Sequence, residues 1–100
     1  MIERKRRPTG PGGILRAHYI EDRGISVTSL SRAAGISRKH MSDIVNGRAR
    51  IEPRTAARLA KVLGTTTALW VNLQAAVDAW DAEREARAWR PPIRLPSAAA

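Results

Sequence analysis

Apolar residues recur along this chain at helical rather than alternating spacing. Ile14, Leu15, Tyr19 and Ile20 share one face of a 3.6-residue period, with Pro11 suited to the entrance and Gly24 to the exit of a first helix. Ser26 offers a side-chain cap for a short second helix, Val27–Ala34, whose inward residue is Leu30, and Gly35 stops it. Ser37 caps a third helix that runs to Asn46, turns Met41 and Ile44 inward and breaks at Gly47. Pro53 fits the first turn of a fourth helix carrying Ala56, Leu59, Ala60 and Leu63, which closes at Gly64. Thr66 or Thr67 caps a last helix over about residues 67–88, on which Leu69, Trp70, Leu73, Ala76, Val77 and Trp80 form one wide apolar stripe. No segment alternates strictly enough to argue for a strand, so five helices with short connections predict an all-α domain.

Residues 11–90 carry this pattern as a single domain, with a basic flexible arm at 1–10 and a tail at 91–100. The arm has Arg4, Lys5, Arg6 and Arg7 followed by Pro and Gly, and its two readings are a solvated terminus and an arm lying along DNA. Charge sharpens the division. Residues 1–65 hold 14 basic and 5 acidic side chains, the whole net charge of +9, whereas residues 66–100 hold four of each. A basic front and a neutral, Trp-bearing back point to two surfaces with different partners, the first a polyanion. The absence of Cys excludes a disulfide scaffold, a thiolate zinc site and a Cys nucleophile. No apolar run approaches the ~20 residues of a membrane span, and none follows the basic N-terminus as a signal peptide requires. The expectation is a soluble cytoplasmic protein with no membrane partner.

The stretch SVTSLSRAAGISRKHMSDIVNGRAR, Ser26 to Arg50, carries the chemistry. Two short helices meet at Gly35-Ile36-Ser37, and Leu30, Ile36, Met41 and Ile44 point inward, the arrangement of a helix-turn-helix whose second helix enters the major groove. Outside remain Arg38, Lys39, Ser42, Asp43 and Asn46, with His40 on the flank. Arg38 and Lys39 sit at the N-terminal end, which meets base edges, and either can donate to guanine O6 and N7; Lys39 is equally suited to phosphate. Ser42 pairs with base or phosphate, and Asn46 serves adenine or terminates the helix. Asp43 is unfavourable near DNA unless it accepts from cytosine or holds a neighbouring Arg. Arg48 and Arg50 have the placement of phosphate clamps, while Ser26 and Ser37, with Thr28 beside the former, present helix N-termini to phosphate. The rival reading of this surface is a solvated polar helix face. Turn glycine, inward spacing, two caps and local charge together favour DNA.

On the last helix, Leu69, Trp70 and Leu73 suffice to pack on the body, and the stripe beyond them exceeds what a small domain covers. Leu73, Val77, Trp80, Asp81 and Arg84 are the expected dimer or partner interface. Two-fold pairing there would set two recognition helices ~34–36 Å apart, one turn of duplex. The acid of Asp78, Asp81, Glu83 and Glu85 gives the alternative, a contact for a basic partner protein.

At these residues the chain resembles the XRE (Cro/repressor-like) helix-turn-helix family and, more narrowly, HigA-type antitoxins of type II toxin–antitoxin modules. The likeness runs from about Pro11 to Glu85 through PGGILR, GISRKHMSDIVNGRARI, TAARLAKVLGT and LWVNLQAAVDAW. VNG after the recognition helix together with LWVNLQ is the specific combination. Departures are Gly10-Pro11-Gly12-Gly13 where the family usually has His-Pro-Gly-Glu, Val27 where Gln commonly opens the second helix, and Ser31 in place of a small Ala. The resemblance implies a five-helix, lambda-repressor-like fold with an extended C-terminal helix. It also implies a dimeric repressor of its own operon, bound to a palindromic operator, that neutralises a HigB-type toxin, a small basic ribonuclease cleaving mRNA at the ribosome.

Other classes fare worse. His18 and His40 lie on different helices, with no carboxylate pair or ligand cluster for acid–base or metal chemistry, and no cofactor is expected. GPGG lacks the strand before it and the Lys-Ser/Thr after it that a phosphate loop needs. The rival within the fold is a stand-alone repressor without a toxin.

Overall fold

The computed structural model describes residues 6–96, so Arg4 and Lys5 of the expected arm lie outside the described residues. Five helical elements are present there and no strands. Helix α1 starts as α-helix over Pro11–Ile14 and continues as π-helix over Leu15–Glu21, three residues short of the expected Gly24. Helices α2 (Val27–Ala34), α3 (Arg38–Val45), α4 (Pro53–Leu63) and α5 (Thr67–Ala86) follow.

Their ends are set locally. The hydroxyls of Ser26, Ser37 and Thr66 accept from the backbone N–H groups of Ser29, His40 and Leu69, each filling an orphan donor of a first turn. Of the two candidate caps for α5, Thr66 is therefore the one used. At Gly35 the backbone turns left-handed, φ 68°, and the next N–H, of Ile36, returns to the Ser31 carbonyl at 3.1 Å. That closure reverses the chain between α2 and α3 within three residues.

Leu15, Leu30, Met41, Ile44, Leu59 and Trp70 are the largest fully buried side chains, one from each of α1, α2, α4 and α5 and two from α3. With no Phe in the chain, Trp70 fills the volume at the centre, tilted 50° against Tyr19 with its Nε1 donating 2.7 Å to Thr65 Oγ1. Ser31, where the related pattern has Ala, is also buried, and its hydroxyl donates 2.8 Å to the Thr28 carbonyl. Two further approaches hold α1 and α5 to the body. Gly12 lets the start of α1 lie directly on the C-terminal carbonyls of α3. Gln74, on α5, is buried, and its Oε1 accepts the Ile51 N–H at 2.8 Å. Replacing Gln74 by Leu leaves that buried N–H without a partner, at a cost of about 1–3 kcal/mol. Chemical denaturation should show this as a lower midpoint at unchanged slope; an unchanged midpoint would mean that water takes over the bond.

The apolar stripe of α5 is covered differently from expectation. Trp70 and Val77 are buried and Leu73 is half-buried, but Ala76 is exposed. Val77, expected among the uncovered positions, is buried, and Gly10 of the chain ahead of α1 lies against its Cγ2. Arg7 in that same stretch makes a two-toothed bond to Asp81 at 2.9 and 3.0 Å.

Candidate nucleic-acid interface

Met41, Ile44 and Val45 anchor α3 in the core, which fixes the opposite face toward solvent. Arg38, Lys39 and Asn46 are exposed there, with Ser42 and Asp43 half-buried between them. The expected recognition side chains thus lie on one surface, organised by three sets of hydrogen bonds.

Arg38 Nε donates to Thr28 Oγ1 at 2.9 Å. One edge of the guanidinium is thereby fixed against α2, and its two terminal nitrogens remain as a fork at the N-terminal end of α3. Thr28 acts here through its side chain, rather than only by lying at a helix start. Asp43 accepts from Lys39 Nζ and from Arg48 Nε, each at 3.2 Å. These two cations, Lys39 foremost, hold its carboxyl below the usual carboxylate range, so it stays charged and keeps both side chains in place. Of the two fates considered for Asp43, the structure displays the holding of a neighbouring Arg. Asn46 caps the end of α3 and donates to the Ser42 carbonyl at 2.8 Å and to Ser42 Oγ at 3.3 Å, while its Oδ1 accepts from Arg16 of α1.

Ser26 and Ser37 spend their hydroxyls on their own helices, and what they present outward is the N–H groups of each first turn. Arg48 and Arg50 have unequal surroundings. Among the described residues Arg48 is ion-paired with Asp43 alone, and its side chain is 65% exposed. Arg50 is gripped in two-toothed fashion by Asp78 of α5, at 3.0 and 2.7 Å, and meets Glu52 at 3.1 Å. Asp78 is in turn held below its ordinary range, chiefly by Arg50 and then by Gln74. Two carboxylates therefore compete with phosphate for Arg50, whereas Arg48 has one.

Sequence reading missed Arg16, which α1 brings to the Asn46 end of α3, and the pairs Arg7–Asp81 and Arg50–Asp78. Their partners are 30, 74 and 28 residues away, and no local pattern signals them. On α5, the expected interface positions are also drawn into the chain's own contacts. Leu73 is half-buried against the core, Val77 is covered, Asp81 is paired with Arg7, and the Arg84 guanidinium lies 5.5 Å over the half-buried Trp80 ring.

Comparison with known proteins agrees with this geometry. The Cro/C1-type HTH DNA-binding domain matches residues 17–68. Antitoxin HigA-1 of Vibrio cholerae is 40% identical over 81 residues, covering 81% of this chain and 76% of that protein. The HTH-type transcriptional regulator YbaQ of Escherichia coli is 38% identical over 87 residues, 87% of this chain and 77% of that protein. The solved structure of the antitoxin GraA in complex with its operator superposes with a TM-score of 0.77 at 29% identity, covering 94% of this chain and all of that one. No helix among the described residues is long and apolar enough to cross a membrane, and no cluster of His, Asp and Glu there could hold a metal ion. The chain belongs to the Cro/C1-type helix-turn-helix DNA-binding family, in the group that includes the HigA-type antitoxins.

Proposed function

We propose that this chain is an antitoxin that neutralises a HigB-type mRNA-cleaving toxin and, as a dimer, represses its own operon from a palindromic operator. The observation that carries the DNA half is the outward face of α3, where Arg38 is bonded to Thr28, Lys39 to Asp43, and Asn46 to Arg16 and Ser42. The fork of Arg38 reads guanine O6 and N7 in the major groove, and Lys39 reaches the neighbouring base or phosphate. Arg48, at the turn beyond α3, binds backbone phosphate, with the first-turn N–H groups at Ser26 and Ser37 as further phosphate donors and Arg50 sharing its charge with Asp78. Dimerisation uses α5 around Leu73, Trp80 and Arg84, beside the Arg7–Asp81 pair and the covered Val77. The likeness to antitoxins named HigA-1 and GraA supports the toxin half.

YbaQ, a relative of similar identity described only as a transcriptional regulator, favours the second reading, a repressor without a toxin. Co-expression with the product of the adjacent gene, followed by a gel shift on the intergenic DNA, separates the two. A stable complex that shifts this DNA fits the antitoxin, and DNA binding without a protein partner leaves the repressor alone.

Arg48→Ala should weaken binding to specific and random duplex alike and reduce the salt slope by about one. Titrations at several salt concentrations check this, and a loss confined to the operator would make Arg48 a base reader instead.

A further inference from the structure

Asn46 ends the outward row of α3, eight residues after Arg38 and four after Ser42, a span of about 12 Å. Its side-chain amide is committed at both ends. Nδ2 donates to the Ser42 carbonyl at 2.8 Å and to Ser42 Oγ at 3.3 Å, and Oδ1 accepts from Arg16 Nη2. A bidentate contact to adenine asks Asn for those same two atoms, the nitrogen for N7 and the oxygen for N6. Reading adenine would therefore cost Asn46 the bonds that hold it.

Arg16 comes from another element. Gly12 seats the start of α1 on the carbonyls of Ile44 and Val45, and Arg16, four residues on, returns to the same side. Its exposed guanidinium spends one of five N–H donors on Asn46, and no carboxylate among the described residues is ion-paired with it. Its charge is thus left for an anion, whereas Arg48 shares its own with Asp43 and Arg50 with Asp78 and Glu52. In the docking of a helix-turn-helix, the N-terminal end of the recognition helix meets base edges. The opposite end, where Asn46 and Arg16 stand, is left to the phosphates that border the groove.

We propose that Arg16 is a backbone-phosphate contact of the DNA interface, carried by α1 and held in place by Asn46, and that Asn46 is a positioning residue that reads no base. The inference rests on the DNA-binding reading above. It gives the C-terminal end of α3 two phosphate clamps, Arg48 from the turn that follows and Arg16 from a helix that precedes the motif.

Titrations of the full chain and its variants on the intergenic duplex and on a scrambled duplex of equal length, over a range of salt, test it. Both side chains are exposed, and thermal unfolding of each variant confirms an intact fold. Arg16→Ala should lose about 8-fold in affinity on both duplexes at ~0.1 M salt, with the salt slope lower by about 0.9 and the difference closing toward ~1 M. Arg16→Lys should restore most of that slope. Asn46→Ala should lose less, about 2-fold or more, again on both duplexes. In the Arg16→Ala background the same Asn46→Ala change should lose nothing further, because it acts through Arg16; a merely structural effect at the end of α3 would persist there and overturn the positioning role. An Arg16→Ala variant with parental affinity and slope would overturn the inference. An Asn46→Ala loss confined to the intergenic duplex would do so as well, by making Asn46 a base reader. A parent chain that binds neither duplex would remove the DNA-binding reading itself, and the inference with it.

Discussion

Gly12→Ala should lower the thermal midpoint by roughly 12–24 °C, at about 4–8 °C per kcal/mol for a domain of this size and a cost near 3 kcal/mol. A Cβ at Gly12 falls far inside contact distance of the Ile44 carbonyl oxygen and lies 3.2 Å from that of Val45. Both obstacles are backbone at the C-terminal end of α3, so no side chain can rotate away, and α1 must lift off the recognition helix. Gly13→Ala is the matched control. Its Cβ meets only the tip of the exposed Thr9 side chain, and alanine is the better helix former. The midpoint there should stay within a few degrees of the parent, with both variants measured at one protein concentration because dimerisation would otherwise shift the comparison. Equal midpoints for the two variants would mean that α1 slides along α3 at little cost.

Arg38→Ala should weaken operator binding by about 1–3 kcal/mol, roughly 5- to 150-fold, with a much smaller loss on scrambled duplex. The reason is geometric as much as electrostatic. With Nε committed to Thr28, the guanidinium offers its two terminal nitrogens in one orientation, the arrangement that a bidentate contact to guanine needs. Arg38→Lys keeps the charge and loses the fork, so affinity for random DNA should persist while discrimination falls. Thr28→Val keeps the fork and removes its anchor, and the loss should again fall on discrimination. Paired titrations on operator and scrambled DNA at one salt concentration read all three. A loss equal on both DNAs would reassign Arg38 to the phosphate backbone.

Arg38 stands at the N-terminal end of α3 and Gly12 against its C-terminal end, and the sequence announces the two unequally. Arg38 sits directly after a capping Ser in a helix whose inward residues, Met41 and Ile44, are spaced to leave it outside. Its role as a candidate follows from that register alone. Gly12 gives no such sign. Within PGGI, Gly12 and Gly13 are equivalent as letters, and only the approach of α3 from residues 44 and 45 makes one indispensable and the other replaceable. The same holds along α5. The period of the stripe marks Trp70 for burial and leaves Val77 beyond what the body covers; it does not show that Gly10 lies against Val77, nor that the interior admits Gln74.

The sequence by itself determined the helices and their order, because caps, breakers and apolar period act within a few residues and need no partner from elsewhere. It also determined the helix-turn-helix, since Gly35 and the spacing of Leu30, Met41 and Ile44 leave one way to pack two short helices. Tertiary structure alone decided how the cations are used. Arg38, Arg48 and Lys39 stay at the recognition face, while Arg7 and Arg50 are drawn to Asp81 and Asp78 on α5. An ion pair forms where folding brings two charges within a few ångströms, and its strength depends on distance in space. Separation along the chain, 74 residues in one pair and 28 in the other, carries no information about that distance.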